Sequence, residues 1–341
     1  DKIQQPVKVH FFDHLRLGDL VAFTGSATTA DRLRTHPNVQ KKTVRFTSET
    51  DSINASVLGP DAVPGTAEFD AYISQWFVEI ATKAGQKCTA IRRAIVPAGL
   101  MGDVVDALRA KIDQRVVLGD PHAEGVTMGP LVSVEQRDDV LAQVAKLVDA
   151  GGELVIGDVA APEVTKADGT RGVVPEGAFV APMVLTFAGA VPDTVHAVEA
   201  FGPVSSVIGY SSPSEAASLV ARGGGSLVTS VVTHDPAFAT ELLSGSAAYN
   251  GRLLFLDRVD AKTSTGHGAP VPHLVHGGPG RAGGGEELGG IRAVLHHMQR
   301  TAIQGSPDML TALTGVWHAG ASAVNDGVHP FRKSLAELRI G

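Results

Sequence analysis

Residues 69–96 read FDAYISQWFVEIATKAGQKCTAIRRAIV. Apolar side chains fall at Phe69, Ile73, Trp76, Phe77, Ile80 and Ala84, a spacing that lays one stripe along a helix. Gly85 supplies the stop, because glycine enters a left-handed cap without a Cβ penalty. Residues 91–96 then predict a strand that ends at Pro97. An amphipathic helix running into a strand points to an α/β fold. It also puts Cys88 on a tight helix-to-strand connection, where a side chain can face a cleft.

The same alternation extends in both directions. Leu20-Val21-Ala22-Phe23-Thr24 predicts a strand, Gly25-Ser26 turns it, and residues 27–34 form a polar segment. A second short strand is expected at Val44-Arg45-Phe46. Residues 100–112 read as a helix, and Ser133-Val134-Glu135-Gln136 as a capping box opening a helix that ends at Gly151-Gly152. Residues 158–177, rich in Pro, Gly and charge, are expected to be a surface loop. Strands at 204–210, 227–233 and 252–256 alternate with helices at 213–221 and 236–243. Eight of the fourteen residues from 277 to 290 are glycine, the one low-complexity segment. The chain has no internal repeat and no heptad pattern.

Composition narrows the class. A chain of 341 residues can bury a large core and hold two domains. With 36 acidic against 29 basic residues the net charge is −7, which argues against a nucleic-acid or anionic-membrane surface. No apolar run approaches the roughly 18 residues of a spanning helix. Asp1-Lys2-Ile3-Gln4-Gln5-Pro6 has no signal core, and one cysteine builds no disulfide framework, so the cytoplasm is the expected compartment. The first residue is not Met, which suggests a fragment or a trimmed product.

The candidate chemistry starts with that lone thiol. Cys88 is either a small packed residue or a nucleophile, and its segment alone decides neither. A thiolate needs local stabilisation, which Lys87 would add if it points inward, and Gly85 offers close backbone approach by a substrate. Glu49, following a short apolar strand, lies where α/β sheets place ligand-contacting residues; its bland alternative is a solvated or capping acid. Phe23-Thr24-Gly25-Ser26 is a strand and turn suited to bringing backbone N–H groups near a phosphate. Glu199-Ala200-Phe201-Gly202-Pro203 combines an acid, an aromatic ring and a turn that would contact a sugar and a ring. Gly278-Pro279-Gly280-Arg281-Ala282-Gly283 matches GxGxxG formally, but no strand leads into it and no acidic residue follows at the required distance. The 13 histidines, including His273 with His276 and the pair His296-His297, show no metal-ligand spacing, so no metal is expected.

Taken in order, the Phe23–Ser26 turn, Glu49, Gly85-Gln86-Lys87-Cys88 and Glu199-Ala200-Phe201-Gly202-Pro203 resemble the aldehyde dehydrogenase superfamily across essentially the whole chain. Glu49 and Cys88 stand 39 positions apart, as that family's general base and nucleophile do, and residues 277–289 resemble its late glycine-rich signature. Thr47-Ser48-Glu49-Thr50-Asp51-Ser52-Ile53-Asn54 departs from the usual Glu-Leu-Gly-Gly pattern. With residues 82–93, Ser264-Thr265-Gly266-His267-Gly268 and residues 276–287, it is similar to the bifunctional ring-opening enzymes of phenylacetate degradation within that superfamily. His329-Pro330-Phe331-Arg332-Lys333 resembles their junction into a hydratase-like domain.

The resemblance implies a partial Rossmann-type cofactor domain plus an α/β catalytic domain with a parallel sheet. Residues 1–75 would end the dinucleotide-binding domain, 76–300 would form the catalytic domain, and 301–341 an oligomerisation tail and junction. It implies Cys88 as nucleophile and Glu49 as base, with Thr24, Gly25 and Ser26 near the cofactor pyrophosphate. Glu199 would hold the nicotinamide ribose, Phe201 would pack beside it, and Gln86 and His267 would face the substrate. The implied cofactor is NADP, with NAD as the alternative, and the implied substrate a CoA-linked semialdehyde oxidised by a homo-oligomer. The early strands, the residue that holds the adenosine ribose and the asparagine of the oxyanion hole are expected upstream of Asp1. Two other readings stay open, a thioesterase or acyl transferase using Cys88 and Glu49 without redox chemistry, and a non-catalytic assembly module.

Overall fold

The computed structural model describes residues 11–322, apart from 188, 272 and 289. Leu20–Thr24 forms β1 and Arg45–Glu49 forms β2, joined through the short helices α1 (Ala27–Arg34) and α2 (Pro37–Lys41). The two strands pair in parallel, with Leu20 opposite Arg45 and Thr24 opposite Glu49. Phe12, Leu15, Val39 and Val44 form a small apolar cluster with Val21, Leu33 and Phe46 against this βαβ unit. The second strand thus runs further than Val44-Arg45-Phe46, and Glu49 is its last residue rather than the start of a loop.

A larger sheet takes up the rest. Ala55–Leu58 is β3, followed by α3 (Ala67–Ala81) and a 3-10 turn over Thr82–Gly85. Next come β4 (Arg93–Pro97), α4 (Met101–Arg115), α5 (Val134–Asp149) and β5 (Glu153–Ile156). Residues 158–177, expected as loop, contain a hairpin of β6 (Glu163–Thr165) and β7 (Arg171–Val173), closed by Lys166 donating to the Thr170 carbonyl at 2.8 Å. Then follow β8 (Met183–Phe187), α6 (Asp193–Ala197), β9 (Val204–Tyr210), α7 (Pro213–Ala221), β10 (Ser226–Val232), α8 (Pro236–Ser246) and β11 (Asn250–Leu256). The seven strands lie in the order β11-β10-β3-β4-β9-β8-β5, all neighbours parallel except β5 against β8. The α/β class and the mostly parallel sheet are as the sequence predicts.

Both faces of this sheet are covered, which explains why its strands read as continuous apolar runs. Along β4, Ala94 and Val96 pack with Tyr72, Trp76 and Leu108 of α3 and α4, while Ile95 between them packs on the opposite face with Val140 and Val144 of α5. The same alternation separates Val231 from Val232 on β10. Two buried polar pairs tie the sheet to its cover and to itself: the Trp76 Nε1–H donates to Ser205 Oγ at 3.0 Å, and Ser56 Oγ meets Ser230 Oγ at 2.8 Å.

The glycine-rich segment is folded rather than slack, with β12 (Val275–Gly277), a 3-10 turn over Gly280–Ala282 and β13 (Glu286–Leu288), followed by α9 (Gly290–His297). Asp1–His296 is one compact unit and His297–Gly341 another. Within the second, α10 (Pro307–Thr314) is capped by Ser306, whose Oγ accepts from Met309 N. The His329–Lys333 motif lies outside the described residues. Among the described residues no helix is long and apolar enough to cross a membrane.

Candidate active site

The Cys88 loop owes its shape to three consecutive left-handed residues. Lys83, Ala84 and Gly85 have φ of 54, 51 and 68°, which reverse the chain at the end of α3. Gly85 is required for a second reason: a Cβ there would overlap the Gly202 carbonyl oxygen. The close approach that glycine permits is therefore to the neighbouring loop and not to a substrate. It brings the Cys88 loop against Glu199-Ala200-Phe201-Gly202-Pro203.

Side chains beneath fix this contact. Asn54, fully buried, donates through Nδ2 to Cys88 O at 2.7 Å and Ala90 O at 3.1 Å, while its Oδ1 accepts from Ser52 Oγ and Val228 N. Arg92 donates to Gly202 O at 2.6 Å, Gly85 O at 2.9 Å and Lys87 O at 3.3 Å, and its guanidinium sits 5.4 Å from the centre of the Phe201 ring. Lys87 does not supply positive charge to the cleft. Its ammonium pairs at 2.7 Å with Glu79, a buried carboxylate of α3.

On the other wall, Glu49 ends β2 opposite Thr24, and Gly25 N donates to Glu49 O at 3.1 Å. Ser26 caps α1, its Oγ accepting from Thr29 N, and the first amide of that helix, Ala27 N, donates to Asp51 Oδ1 at 3.0 Å. The glycine-rich segment buttresses the back of β2. Gly285 N donates to Ser48 O, Thr50 N to Ala282 O, and a Cβ at Gly283 or Gly285 would overlap the Ser48 carbonyl.

These walls enclose one cleft of about 670 Å³. Cys88 and Glu49 both line it, as do Thr24, Gly25 and Ser26 at one end and Glu199 and Phe201 at another. Seven of the nine residues singled out in the sequence meet there. Gln86 and His267 do not. Gln86 is spent on the backbone, its Oε1 accepting from Val132 N and its Nε2 donating to Lys83 O, both at 2.9 Å. His267 is fully buried, with Nδ1 2.9 Å from Ser230 Oγ. Burial, with Arg252 and Lys87 close by, drives its pKa down to about 3, so it is a neutral side chain that does not line the cleft.

Electrostatics distinguish the acids. Burial pushes the Glu199 carboxyl up to about 7, against the pull of Arg92 and with a further upward push from Asp51. Its Oε2 accepts from Ser52 N at 3.2 Å, and Oε1 lies 3.7 Å from Arg92 Nε. A deeper layer holds Arg93, fully buried, which donates to Ile53, Leu219 and Val220 carbonyls and meets His196 Nδ1 at 2.8 Å. Burial lowers Arg93 to about 9 and His196 to about 3. Among the described residues no group of three or more His, Cys, Asp or Glu side chains could hold a metal.

Sequence reasoning missed Arg92, Asn54, Asp51 and Arg281. The signal for Arg92 was present, since two adjacent arginines at the entry to a largely buried strand must find partners. Arg281 lines the cleft and donates to the His196 and Ala197 carbonyls, a role that its glycine-rich surroundings hid.

Chemically, the cleft joins a thiol, a carboxylate and the features that suit a dinucleotide. The N-terminus of α1 favours phosphate, the Glu199 carboxylate accepts hydroxyl donors, and Phe201 offers an apolar ring. Known proteins share this arrangement of the chain. It is 43% identical over 268 residues to a 3,4-dehydroadipyl-CoA semialdehyde dehydrogenase of Aromatoleum evansii, a match covering 78% of this chain and 51% of that protein. It is 46% identical over 217 residues to Protein MaoC of Klebsiella aerogenes, covering 63% of this chain and 61% of that one. The chain thus spans about half to three-fifths of the length of these relatives. The fold also superposes on a betaine aldehyde dehydrogenase of Staphylococcus aureus with a TM-score of 0.68 at 22% identity, over 83% of this chain and 52% of that one. Residues 7–259 match the sequence pattern of the aldehyde dehydrogenase family, and with the thiol, acid and nucleotide-suited turn in one cleft, the chain belongs to that family.

Proposed function

We propose that this chain is the thiol-bearing part of an NAD(P)-dependent aldehyde dehydrogenase, acting on a CoA-linked semialdehyde in the breakdown of phenylacetate or a related aromatic acid. The observation that carries the reading is the single cleft shared by Cys88, Glu49, the Thr24–Ser26 turn and the Glu199–Phe201 loop. The substrate class is supported by the named activity of the Aromatoleum evansii relative. A nicotinamide cofactor is supported by the NAD+ complex of the betaine aldehyde dehydrogenase, and NADP is the form we favour.

In this reading Cys88 thiolate adds to the aldehyde carbon, and the oxygen that gains charge faces the Cys88 backbone N–H. The bound nicotinamide supplies the acceptor for the aldehyde hydride, which leaves an acyl group on sulfur. Glu49 takes a proton from water as that water attacks the thioester, and release of the acid restores the thiol. Ser26 and the α1 amides would hold the pyrophosphate, and Glu199 the ribose hydroxyls. We place the boundary of the nucleotide-binding segment between β2 and β3, earlier than residue 75, because β3 pairs within the seven-stranded sheet. A cytoplasmic homo-oligomer goes with this reading; exposed Ile291, Val294 and Leu295 on α9 support the association.

The test is aldehyde-dependent NADPH formation by the protein that carries this chain. Cys88→Ala is expected to abolish it. Oxidation that persists in both Cys88→Ala and Glu49→Gln overturns the assignment. Thioester hydrolysis without nicotinamide would favour a thioesterase, and absence of saturable NADP binding in calorimetry an assembly module.

A further inference from the structure

Arg92 has a position that the reaction outlined above does not use. Its side chain is 4% exposed, yet it carries a charge into the gap between two loops. It donates to Gly85 and Lys87 carbonyls of the Cys88 loop and to the Gly202 carbonyl of the Glu199 loop. Its plane covers Phe201. Its Nε makes no hydrogen bond among the described residues and lies 3.7 Å from Glu199 Oε1.

The charged groups around it are few. From α3 comes Glu79, already paired with Lys87 and near Arg252 of β11. From the facing loop comes Glu199, itself near Asp51 and Arg281. From its own loop comes Cys88, whose flanking Gly85 and Lys87 carbonyls the guanidinium holds.

We infer that Arg92 is a positioning residue that fixes the Lys87–Cys88 peptide and favours the thiolate of Cys88, its charge being shared with Glu199. The inference rests on Cys88 being the nucleophile. Two physical effects carry it. A hydrogen bond to the Lys87 carbonyl polarises the same peptide unit, so the Cys88 N–H becomes a stronger donor to a developing oxyanion. A desolvated guanidinium that keeps its proton stabilises a nearby thiolate over the neutral thiol. Glu199 draws on the same charge, so anything that neutralises Glu199 leaves more of it for sulfur. The ribose loop and the nucleophile are thereby linked through one side chain.

Alkylation of Cys88 by iodoacetamide, followed by mass spectrometry of the Cys88 peptide across pH 5–10 (roughly the window of protein thiols), reads the thiol without cofactor or turnover. Arg92→Gln is expected to raise the midpoint by about one pH unit and slow alkylation near neutrality roughly tenfold. Arg92→Lys keeps the charge and should recover most of that loss. Glu199→Gln should shift the midpoint the other way, downward, a direction that general loosening does not produce. Unchanged midpoints in folded Arg92→Gln and Glu199→Gln overturn the inference. If Arg92→Gln fails to fold, Glu199→Gln decides alone, and a midpoint that stays or rises overturns it. Because alkylation needs no aldehyde oxidation, failure of the proposed enzyme activity would be seen separately.

Discussion

Gly85 packs its α-carbon against the carbonyl oxygen of Gly202, leaving no space for a Cβ between them. Gly85→Ala therefore meets two penalties, backbone overlap and a φ of 68°. Denaturant melts should show a loss of about 2–4 kcal/mol. Lys83, exposed and at φ 54°, is the control: Lys83→Gly removes left-handed strain with no packing loss and should stabilise by about 1 kcal/mol. If both substitutions destabilise alike, the steric account of the loop is wrong.

Glu199 should leave a signature in the pH dependence of stability. Its folded pKa of about 7 stands above the ordinary value of 4.5, so between those pH values the folded chain holds a proton that the unfolded chain has lost. Stability from this group is thus lost as pH rises through that window. His196, depressed to about 3, works oppositely below its ordinary 6.5, which makes the wild-type curve a sum of both. Glu199→Gln isolates the first effect: the variant should gain on wild type by about 3 kcal/mol between the two ends of the window. A constant difference across pH would refute the buried-acid account.

Asp51 occupies the Ala27 amide at the start of α1, where a cofactor phosphate would approach. Asp51→Asn removes a negative charge from that end of the cleft. NADP binding measured by calorimetry should tighten several-fold, while the melting temperature falls because the helix loses its anionic partner, worth about 0.5–1 kcal/mol. Weaker binding in the variant would show that Asp51 contacts the cofactor favourably.

Glu49→Gln should spare acyl transfer to sulfur and slow its hydrolysis by roughly 10²–10⁴-fold. Intact-mass spectrometry after mixing with aldehyde and NADP should then find an adduct on Cys88. Fast turnover with no trapped acyl group would remove Glu49 from the base role.

Much of this architecture is legible in the residues themselves. β9 and α7 fall on their predicted spans because Val204–Tyr210 carries β-branched Val204, Val207 and Ile208 in a buried run, and Ser212-Pro213 opens the helix with a cap and a proline. β3 escaped because Ala55-Ser56-Val57-Leu58 is four residues long, with a serine whose partner, Ser230, is remote in sequence. The site divides in the same way. Cys88, Glu49, the Thr24–Ser26 turn and the Glu199–Phe201 loop have local motifs, and all line the cleft. Arg92 and Asn54 act on carbonyls brought near only by the fold, and no short motif encodes that. His267 misled because its place near the Cys88 loop is real, while its burial depends on packing that the sequence does not state.

The strand order also fixes a timetable. β3 begins six residues after Glu49, the last of β2, yet it is flanked in the sheet by β10, and Asn54 anchors Val228 across 174 residues of chain. During synthesis the acid and the thiol emerge before β10, and Asn54 cannot complete its bonds until that strand has left the ribosome. Such remote pairing slows folding, because loop closure must precede the contacts that reward it. Reactivity at Cys88 should consequently mature last, as a product of the finished sheet.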